Sequence, residues 1–502
     1  MLNKTVSSLG SLIALSVAFA WAYGCAEETD LARPPNVIFI LADDLGWADT
    51  GVYGSQFFET PHIDALAQRG MTFTNAYAAA AICSPTRASI LTGLHPARIG
   101  ITTPAGHLER EVLEKSLRPR APENQPALSA NSLTRLRVEY FTLAEALGTA
   151  GYRTAHFGKW HLGREPFDAL NQGFEIDLPH TPGAGPSGGY LGPWSFWPGA
   201  GSEGEHIEDR MATEAAEFIR QNSDRPFFLN YWCFSVHAPI QGKPDLVEKY
   251  RAKADPSMAQ RNPIMGAMVE SLDDAVGSLL AVVDELDIAD DTIIVFFSDN
   301  GGMVHRLNAG APVTSNAPLR SGKSSIYEGG VREPLIIAWP PLVEAGSLSD
   351  EIVQSIDFFP TLLELTGVPP REGQSFDGVS IVPALRGEPL EREAIFVHSP
   401  QYTPATLHRP STSVRRGDWK LIRFHCDGPG QQDRHELYNL AEDIGEQVDL
   451  AEQQPSIVGE LSALLDGFLA DTEAVVPRPN PQYRPGADPF PNGPALRDEG
   501  PA

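Results

Sequence analysis

Cysteine is scarce in this sequence. Its 502 residues contain only Cys25, Cys83, Cys233 and Cys426. Cys25 falls in a leader-like segment and Cys83 in a motif discussed below, so at most one disulfide remains and disulfides do not hold this fold together. Cys233 lies in an apolar run, which is typical of a buried small hydrophobic side chain.

Positive charge is also scarce. The chain has 38 Lys and Arg against 65 Asp and Glu, a formal net charge of −27. Without a basic surplus to meet phosphates, a nucleic-acid partner is excluded. An anionic small substrate is not excluded, because a few local Lys and Arg side chains can reverse the sign inside one pocket.

Long hydrophobic runs are missing apart from residues 9–20, which follow Lys4. This run is too short for a typical membrane span, and with the small residues after it predicts a signal peptide over residues 1–24. Residues 22–25 resemble a bacterial lipoprotein cleavage site, although Ala22 and Tyr23 depart from the usual pattern. Two outcomes stay open: lipidation of Cys25, or simple cleavage. Either predicts an exported protein, periplasmic or at the cell surface.

Short apolar runs alternate with helical patterns in the rest of the chain. Such runs predict strands buried on both faces, and the alternation predicts an α/β fold with a doubly wound, largely parallel central sheet flanked by helices. The predicted strands are residues 36–42, 226–232, 292–297 and 334–339, and the predicted helices are residues 142–150, 210–221 and 265–286.

The pattern changes near residue 385. Short strands at 394–398, 419–424 and 436–440 and a helix at 457–470 predict a smaller C-terminal α+β lobe. The predicted division is therefore a catalytic α/β domain over 34–385, the lobe over 386–476 and a Pro-rich, extended tail over 477–502.

Two long segments, 102–137 and 180–204, predict loops, and long loops are often functional. The second carries Tyr190, Trp194 and Trp197 among glycines. Their rings could stack on sugar rings, or they could pack the loop onto its own domain.

Acidic side chains follow two of the predicted strands. Asp43 and Asp44 come directly after the first, and Asp299 and Asn300 come after another. In open α/β sheets the carboxyl ends of the strands form the ligand crevice, and oxygen ligands favour Ca²⁺ or Mg²⁺. Each pair alone could instead cap a helix or turn; the occurrence of both pairs at strand ends favours a metal site.

The string Cys83-Ser84-Pro85-Thr86-Arg87 predicts the start of a helix. Ser84 is suited to capping and Pro85 to the first turn. Free N–H groups at a helix start favour negative charge near Cys83, and Arg87 adds an anion clamp.

Cys83-x-Pro85-x-Arg87, continuing to Leu91-Thr92-Gly93, resembles the signature of type I sulfatases, a family of the alkaline phosphatase superfamily. Further motifs match that family in order and span nearly the whole mature chain. They are residues 36–46, 142–152, Gly158-Lys159-Trp160-His161-Leu162-Gly163, His237-Ala238-Pro239, residues 298–301, Lys323 before Glu328-Gly329-Gly330, and residues 436–440.

The resemblance implies specific roles for these residues. Cys83 would be oxidised to Cα-formylglycine, whose hydrate is the nucleophile, by a formylglycine-generating or anaerobic sulfatase-maturating enzyme. Arg87 would neutralise the hydrate, and His161 would steady it. Lys159 and Lys323 would bind the sulfate oxygens, and His237 would face the leaving oxygen. The implied metal is Ca²⁺, with Mg²⁺ as the alternative, and its implied ligands are Asp43, Asp44, Cys83, Asp299 and Asn300.

The residues and the resemblance therefore predict a sulfuric ester hydrolase that acts chiefly on a sulfated carbohydrate, with an aryl sulfate as the lesser alternative substrate. Two alternatives stay open. One is a phosphodiesterase or phosphonate monoester hydrolase on the same fold. Two-metal phosphatases of this superfamily need extra His and Asp ligands. This sequence has the cations Lys159 and Lys323 instead, as the sulfatase family does, which favours a sulfate ester as substrate. The other is a glycan-binding protein without activity, if Cys83 is never modified.

Overall fold

The structure is a computed structural model and describes residues 33–304, 312–486 and 488–490. The predicted signal peptide and Cys25 lie outside these residues, as does the end of the predicted tail. From Pro34 onward, the described residues cluster into one compact unit. The boundaries predicted at residues 385 and 476 stay predictions. Among the described residues, no helix combines the length and the apolar character needed to cross a bilayer.

The main element is an eight-stranded sheet. Its strands, numbered along the chain, are β1 (Asn36–Ala42), β2 (Met71–Phe73), β3 (Arg153–Gly158), β4 (Ile176–Leu178), β5 (Phe227–Trp232), β6 (Thr292–Ser298), β7 (Leu335–Ala338) and β8 (Ser347–Ser349). The order across the sheet is β8-β2-β7-β6-β1-β5-β3-β4. Strand β7 runs antiparallel to both of its neighbours, and the other neighbouring pairs are parallel. The prediction of a largely parallel sheet is confirmed.

Helices cover both faces of this sheet. The longer ones are α1 (Pro61–Arg69), α2 (Cys83–Thr92), α3 (Leu143–Thr149), α4 (Ile207–Asn222), α5 (Pro244–Lys253), α6 (Pro263–Glu285), α7 (Phe358–Thr366) and α8 (Pro455–Asp471). Shorter ones are Pro96–Ile99, Glu328–Val331 and Val382–Leu385.

The packing of strand β1 explains why its residues are apolar at every position and do not alternate with polar ones. Ile38 and Ile40 point into the core that contains α4 and α6, and Phe39 on the opposite face packs edge-to-face on Phe358 of α7, with ring centroids 5.1 Å apart. A strand covered on both faces needs apolar side chains at every position.

The predicted C-terminal lobe contains an antiparallel sheet of four strands. They are β9 (Ile395–Ser399), β10 (Ser411–Arg416), β11 (Trp419–Phe424) and β12 (Arg434–Asn439). One face packs with Tyr77 and Val331 of the main sheet region, and the other receives Leu461 and Leu465 of α8. The C-terminal sheet therefore shares a hydrophobic cluster with the main domain.

Both predicted loops are largely irregular. Residues 102–137 contain only the short strands Ser116–Leu117, Ala127–Leu128 and Ala130–Asn131. The tail predicted from Pro477 forms, in its described part, a two-residue strand, Arg478–Pro479, that pairs with Ala127–Leu128.

Candidate active site

The carboxyl ends of β1 and β6 bring four predicted ligands together. The two strands are parallel and in register, with Ala42 beside Ser298, so the acids that follow them are neighbours. The backbone N–H of Asp44 donates to Asp299 Oδ1 over 3.3 Å. Asp44 itself has a φ of 64°, a left-handed conformation that turns the chain sharply after the strand. Sequence positions more than 250 residues apart thus meet at one edge of the sheet.

Two oxygen atoms at this edge are buried and accept no hydrogen bond from any described residue. They are Asp43 Oδ1 and Asn300 Oδ1. The amide of Asn300 instead donates through Nδ2 to Asp44 Oδ1 at 2.8 Å and to the Gly301 carbonyl at 3.1 Å. Buried acceptors without a partner are costly, and a hard cation would satisfy both. The donor set therefore fits the predicted Ca²⁺ or Mg²⁺.

Arg87 lies fully buried inside α2 and holds this edge in place. Its Nε and Nη2 atoms lie 2.8 and 2.7 Å from Asp299 Oδ2, and Nη1 donates to the Lys159 carbonyl at 2.6 Å. Its guanidinium also lies 5.1 Å from the ring centroid of Trp232. Arg87 therefore neutralises one carboxylate and joins three segments of the chain.

Lys159 and Lys323, the two lysines predicted to bind sulfate, lie far apart in the sequence, and both contact acids of the site. Lys159 Nζ lies 2.7 Å from Asp43 Oδ2, and Lys323 Nζ lies 2.6 Å from Asp44. Lys159 is fully buried, whereas the Lys323 side chain keeps 13% of its surface exposed. The two ammonium groups each balance one carboxylate, as Arg87 balances Asp299, so the charges of this edge are about even in a strongly acidic chain.

Cys83 is the first residue of α2 and is buried. Its sulfur and donor atoms of Asp43, Asp44 and His237 all lie within 4.8 Å of one another. Burial raises the pKa of the thiol, but the ammonium groups of Lys159 and Lys323 and a hydrogen bond with His237 together outweigh it, and the pKa falls to about 7. A cysteine in this surrounding is chemically reactive, unlike a structural buried thiol. No disulfide forms among the described cysteines.

The predicted cap of α2 is wrong. Ile82 is the N-cap residue, and no side chain caps the helix. Ser84 lies inside the first turn, and its hydroxyl donates to the His161 carbonyl at 2.7 Å. The prediction that Ser84 caps the helix considered only neighbouring positions, whereas the residue that accepts its hydrogen bond lies 77 positions away in the sequence. Ser84 therefore ties the start of α2 to the segment that carries His161.

His237 lies at the open side of the site. Its Nε2 is 3.8 Å from Asp44 Oδ2, and its Nδ1 is 2.7 Å from the Ala238 carbonyl. Burial lowers the pKa of this histidine, but Asp43 and Asp44 oppose that effect and the net pKa is raised. A histidine held protonated in this position can donate a proton.

The aromatic residues of the second loop mostly pack inside the protein. Tyr190 and Trp194 are buried, so the suggestion that their rings stack on a sugar is wrong. Trp197 is half-buried and stacks on Trp194. The Tyr190 hydroxyl lies 2.7 Å from the His237 carbonyl and donates to the segment that carries it. Tyr190 thus has a supporting role that composition alone did not indicate.

Two residues near the site were not identified from the sequence. Glu208, buried in the first turn of α4, accepts hydrogen bonds from the backbone N–H groups of Phe234 and Ser235 at 2.9 and 2.7 Å. The Ser235 carbonyl in turn accepts from the N–H of Asp43. His107 contacts His161 directly, with 2.8 Å between ring nitrogens. A Glu in a first turn is common near any helix start, so no sequence signal distinguished Glu208.

The fold and the site together limit what this protein can do. A tetrahedral oxyanion can be bound between the two lysines while a reactive group at the start of α2 attacks it, beside carboxylates arranged for a hard cation. This arrangement makes the chain a hydrolase of the alkaline phosphatase type.

Comparison with protein families narrows that class. The family model described as Sulfatase matches residues 35–368, and the model described as N-sulphoglucosamine sulphohydrolase, C-terminal, matches residues 321–468. The chain belongs to the sulfatase family, whose members hydrolyse sulfate esters.

Individual relatives agree with this assignment. N-acetylgalactosamine-6-sulfatase of Homo sapiens is 31% identical over 484 residues, which cover 89% of this chain and 87% of the relative. Arylsulfatase A of Homo sapiens is 31% identical over 480 residues, covering 87% and 86%. The crystal structure of Ps i-CgsB in complex with k-i-k-neocarrahexaose has a TM-score of 0.71 and 26% identity, covering 87% of this chain and 93% of that one.

Proposed function

We propose that this sulfatase hydrolyses sulfate monoesters of carbohydrates, with the hydrate of a formylglycine made from Cys83 as its nucleophile. The position of Cys83 carries the proposal. Its sulfur shares a space less than 5 Å across with donor atoms of Asp43, Asp44 and His237, at the start of a buried helix. A chemically modified side chain at that point would face both the acids and the lysines.

One hard divalent cation, Ca²⁺ or Mg²⁺, is part of the proposal. Asp43, Asp44, Asp299 and Asn300 would hold it together with an oxygen of the modified Cys83. When bound, the cation supplies positive charge that favours the ionised form of a neighbouring hydroxyl.

The side chains around the site have matching roles in the reaction. Lys159 and Lys323 would bind the sulfuryl oxygens and stabilise their charge as one hydroxyl of the hydrate attacks sulfur. His237 would give its proton to the departing alcohol oxygen. Arg87 would hold Asp299 and balance the charge of the hydrate. The second hydroxyl then loses its proton and becomes a carbonyl, and sulfate leaves with the electrons of its C–O bond.

A carbohydrate substrate is supported by the relatives. N-acetylgalactosamine-6-sulfatase is named for a sulfated amino sugar, and Ps i-CgsB was crystallised with a neocarrahexaose. Arylsulfatase A, of equal identity, is named for aryl sulfates, so the two substrate classes need a direct comparison.

The proposal includes export to the periplasm or the cell surface, where polysaccharides are met. The apolar segment 9–20 after Lys4 supports it. A formylglycine-generating or anaerobic sulfatase-maturating enzyme would be a required partner, and Cys25 would carry a lipid anchor or be lost with the leader.

The test combines peptide mass spectrometry with a substrate panel. Active enzyme should contain the aldehyde or its hydrate at Cys83 and should turn over sulfated oligosaccharides with a higher kcat/KM than nitrophenyl sulfate or a phosphodiester. Cys83→Ala should be folded and inactive, whereas Cys233→Ala, a matched change at another buried thiol, should stay active.

Full activity with an unmodified thiol at Cys83 would overturn the mechanism. A preference for nitrophenyl sulfate would overturn the carbohydrate assignment, and a preference for the phosphodiester would favour the alternative hydrolase.

A further inference from the structure

His107 and His161 form a hydrogen-bonded pair at the edge of the site. His107 Nδ1 and His161 Nε2 are 2.8 Å apart, so one of the two rings must donate a single N–H to the other. Burial lowers the pKa of both histidines, and the ammonium group of Lys159 lowers it further. Both rings are therefore neutral: each carries one N–H, and one of these two protons lies between the rings.

The other nitrogen of His161 is buried and has no hydrogen-bond partner among the described residues. Besides burial, the groups that lower the pKa of this ring are Lys159, His107, Arg87 and His237, and of these Lys159 and Arg87 are permanent cations of the site. A lone pair is more stable than an N–H beside cations. This favours the tautomer in which His161 Nε2–H donates to His107 and Nδ1 keeps its lone pair.

Two guanidinium groups bind the loop that carries His107, and one of them, that of Arg164, comes from the segment of His161. Arg135, which is buried, donates to the Gly106 and Leu108 carbonyls. Arg164 donates to the His107 carbonyl at 3.1 Å. The carbonyl groups on both sides of His107, and that of His107 itself, are thus bound, which limits the movement of its imidazole.

The two segments also approach too closely for any other residue at position 106. A Cβ atom on Gly106 would lie 2.0 Å from the His161 carbonyl oxygen. His161 has a φ of 57°, a left-handed conformation that is unusual for a histidine. Strain of this kind persists where the surrounding structure enforces it, often at functional sites.

We propose that His107 is a positioning residue for the release of sulfate, an inference that rests on the proposed function. By accepting the Nε2–H of His161, His107 keeps the lone pair of His161 Nδ1 available. In the second half of the reaction, this lone pair takes the proton of the free hydroxyl of the sulfated hydrate. The O–H electrons become the C=O bond, the C–O bond to sulfate breaks, and sulfate leaves with that electron pair. The imidazolium formed on His161 is stabilised by its hydrogen bond to His107.

The test compares His107→Leu with His107→Asn on nitrophenyl sulfate and on a sulfated sugar. The Leu variant removes the acceptor, and the amide oxygen of Asn can replace Nδ1. We expect the Leu variant to lower kcat about 10- to 100-fold on both substrates, the size typical of losing an orienting partner. KM should not rise. Most of the activity should return in the Asn variant. His435→Leu, at a half-buried histidine of β12, is the control and should change nothing.

Pre-steady-state kinetics give the sharper readout. Because release of sulfate is the affected step, the Leu variant should show a rapid burst of one nitrophenolate per active site, followed by slow turnover. Peptide mass spectrometry should then find sulfate covalently attached at position 83.

Three results would overturn the inference. They are unchanged kcat in the Leu variant, a rise in KM limited to the sugar substrate, which would indicate a substrate contact, or slow turnover without a burst. If wild-type enzyme itself hydrolysed no sulfate ester, the proposed function would fail, independently of any His107 variant.

Discussion

Asp299 forms an ion pair with a buried arginine. It lies at the sheet edge whose carboxylate and amide oxygen atoms could bind a cation. Burial raises its pKa to about 6, with Asp43 adding to the effect, while Arg87 opposes it. A cation must displace a proton from such a carboxyl group, so metal affinity depends on pH. The energetics of this residue therefore connect metal binding to protonation.

We expect Asp299→Asn to lose bound metal and activity together, because it removes one ligand charge and leaves the shape unchanged. Wild-type affinity for Ca²⁺ should increase as pH rises through about 6, where the carboxyl group loses its proton. Calcium titration by calorimetry from pH 5 to 8 measures both.

Asp357→Asn is the matched control. Asp357 is also buried and paired with an arginine, Arg392, away from the site. It should cost stability without changing calcium affinity. Metal content and activity in Asp299→Asn equal to wild type would contradict the assignment.

For individual residues, the sequence predicted which side chains come together at the site, but it did not predict all of their hydrogen-bond and packing partners. Asp43, Asp44, Asp299 and Asn300 could be assigned because each follows an apolar strand, and strand ends meet at one edge. The bond from Ser84 to His161 and the burial of Trp194 could not, because they depend on segments far apart in the chain. Local patterns contain no information about such partners.

Among the elements, the apolar strands were predicted well and the polar ones were not. Strand β3 was missed, because Arg153–Gly158 contains His156, whose burial is compensated by a hydrogen bond between its Nδ1 and Asn230 Nδ2 at 2.9 Å. The edge strands β2, β4 and β8 have three residues each and give almost no periodic signal. The predicted helices were confirmed to within a few residues, for example α6 at Pro263–Glu285.

A buried ion cluster joins β11 to the short helix that follows Lys323. Lys420 Nζ lies 2.8 Å from Glu328 Oε1 and 2.9 Å from Glu446 Oε1. The N–H of Glu328 also donates to Glu446, and the Tyr77 hydroxyl donates to Glu328. Lys420 therefore bridges two buried carboxylates between the main domain and the C-terminal sheet, and Arg332 lies 3.5 Å from one of them, Glu328.

Lys420→Met should lower the free energy of unfolding by about 3–5 kcal/mol, because it removes the ion-pair partner of buried Glu446 and leaves Glu328 with Arg332. Lys249→Met is the control: Lys249 pairs with Glu59 and Glu270 near the surface, and its loss should cost no more than about 1 kcal/mol. Denaturant unfolding measures both. Equal losses in the two variants would show that the cluster does not stabilise the junction.

For the whole molecule, the net charge of −27 opposes the approach of any polyanion. The cations proposed to bind the substrate, Lys159 and Lys323, are paired with carboxylates and enclosed by an acidic protein. Repulsion over distances beyond about 10 Å is screened at roughly 0.1 M salt, whereas contacts within the buried site are screened much less.

We therefore expect kcat/KM for a highly sulfated oligosaccharide to increase when salt is raised from about 10 to about 150 mM. The same change should affect nitrophenyl sulfate, with its single charge, much less. Steady-state kinetics at several salt concentrations, with free Ca²⁺ held constant, measure this. A steady decrease for the oligosaccharide would mean that a local positive field dominates its approach.

The burial of α2 limits when Cys83 could be oxidised relative to the folding of the chain. Every residue of the helix from Cys83 to Thr92 is buried, and Arg87 and Ser84 bind it to segments far along the chain. An enzyme that oxidised Cys83, as proposed, would have to reach the thiol, and the burial of this helix in the finished fold prevents that access. The proposed oxidation of Cys83 would therefore have to take place on the nascent or still unfolded chain, before β6 joins β1, and any molecule that folded first would remain permanently inactive.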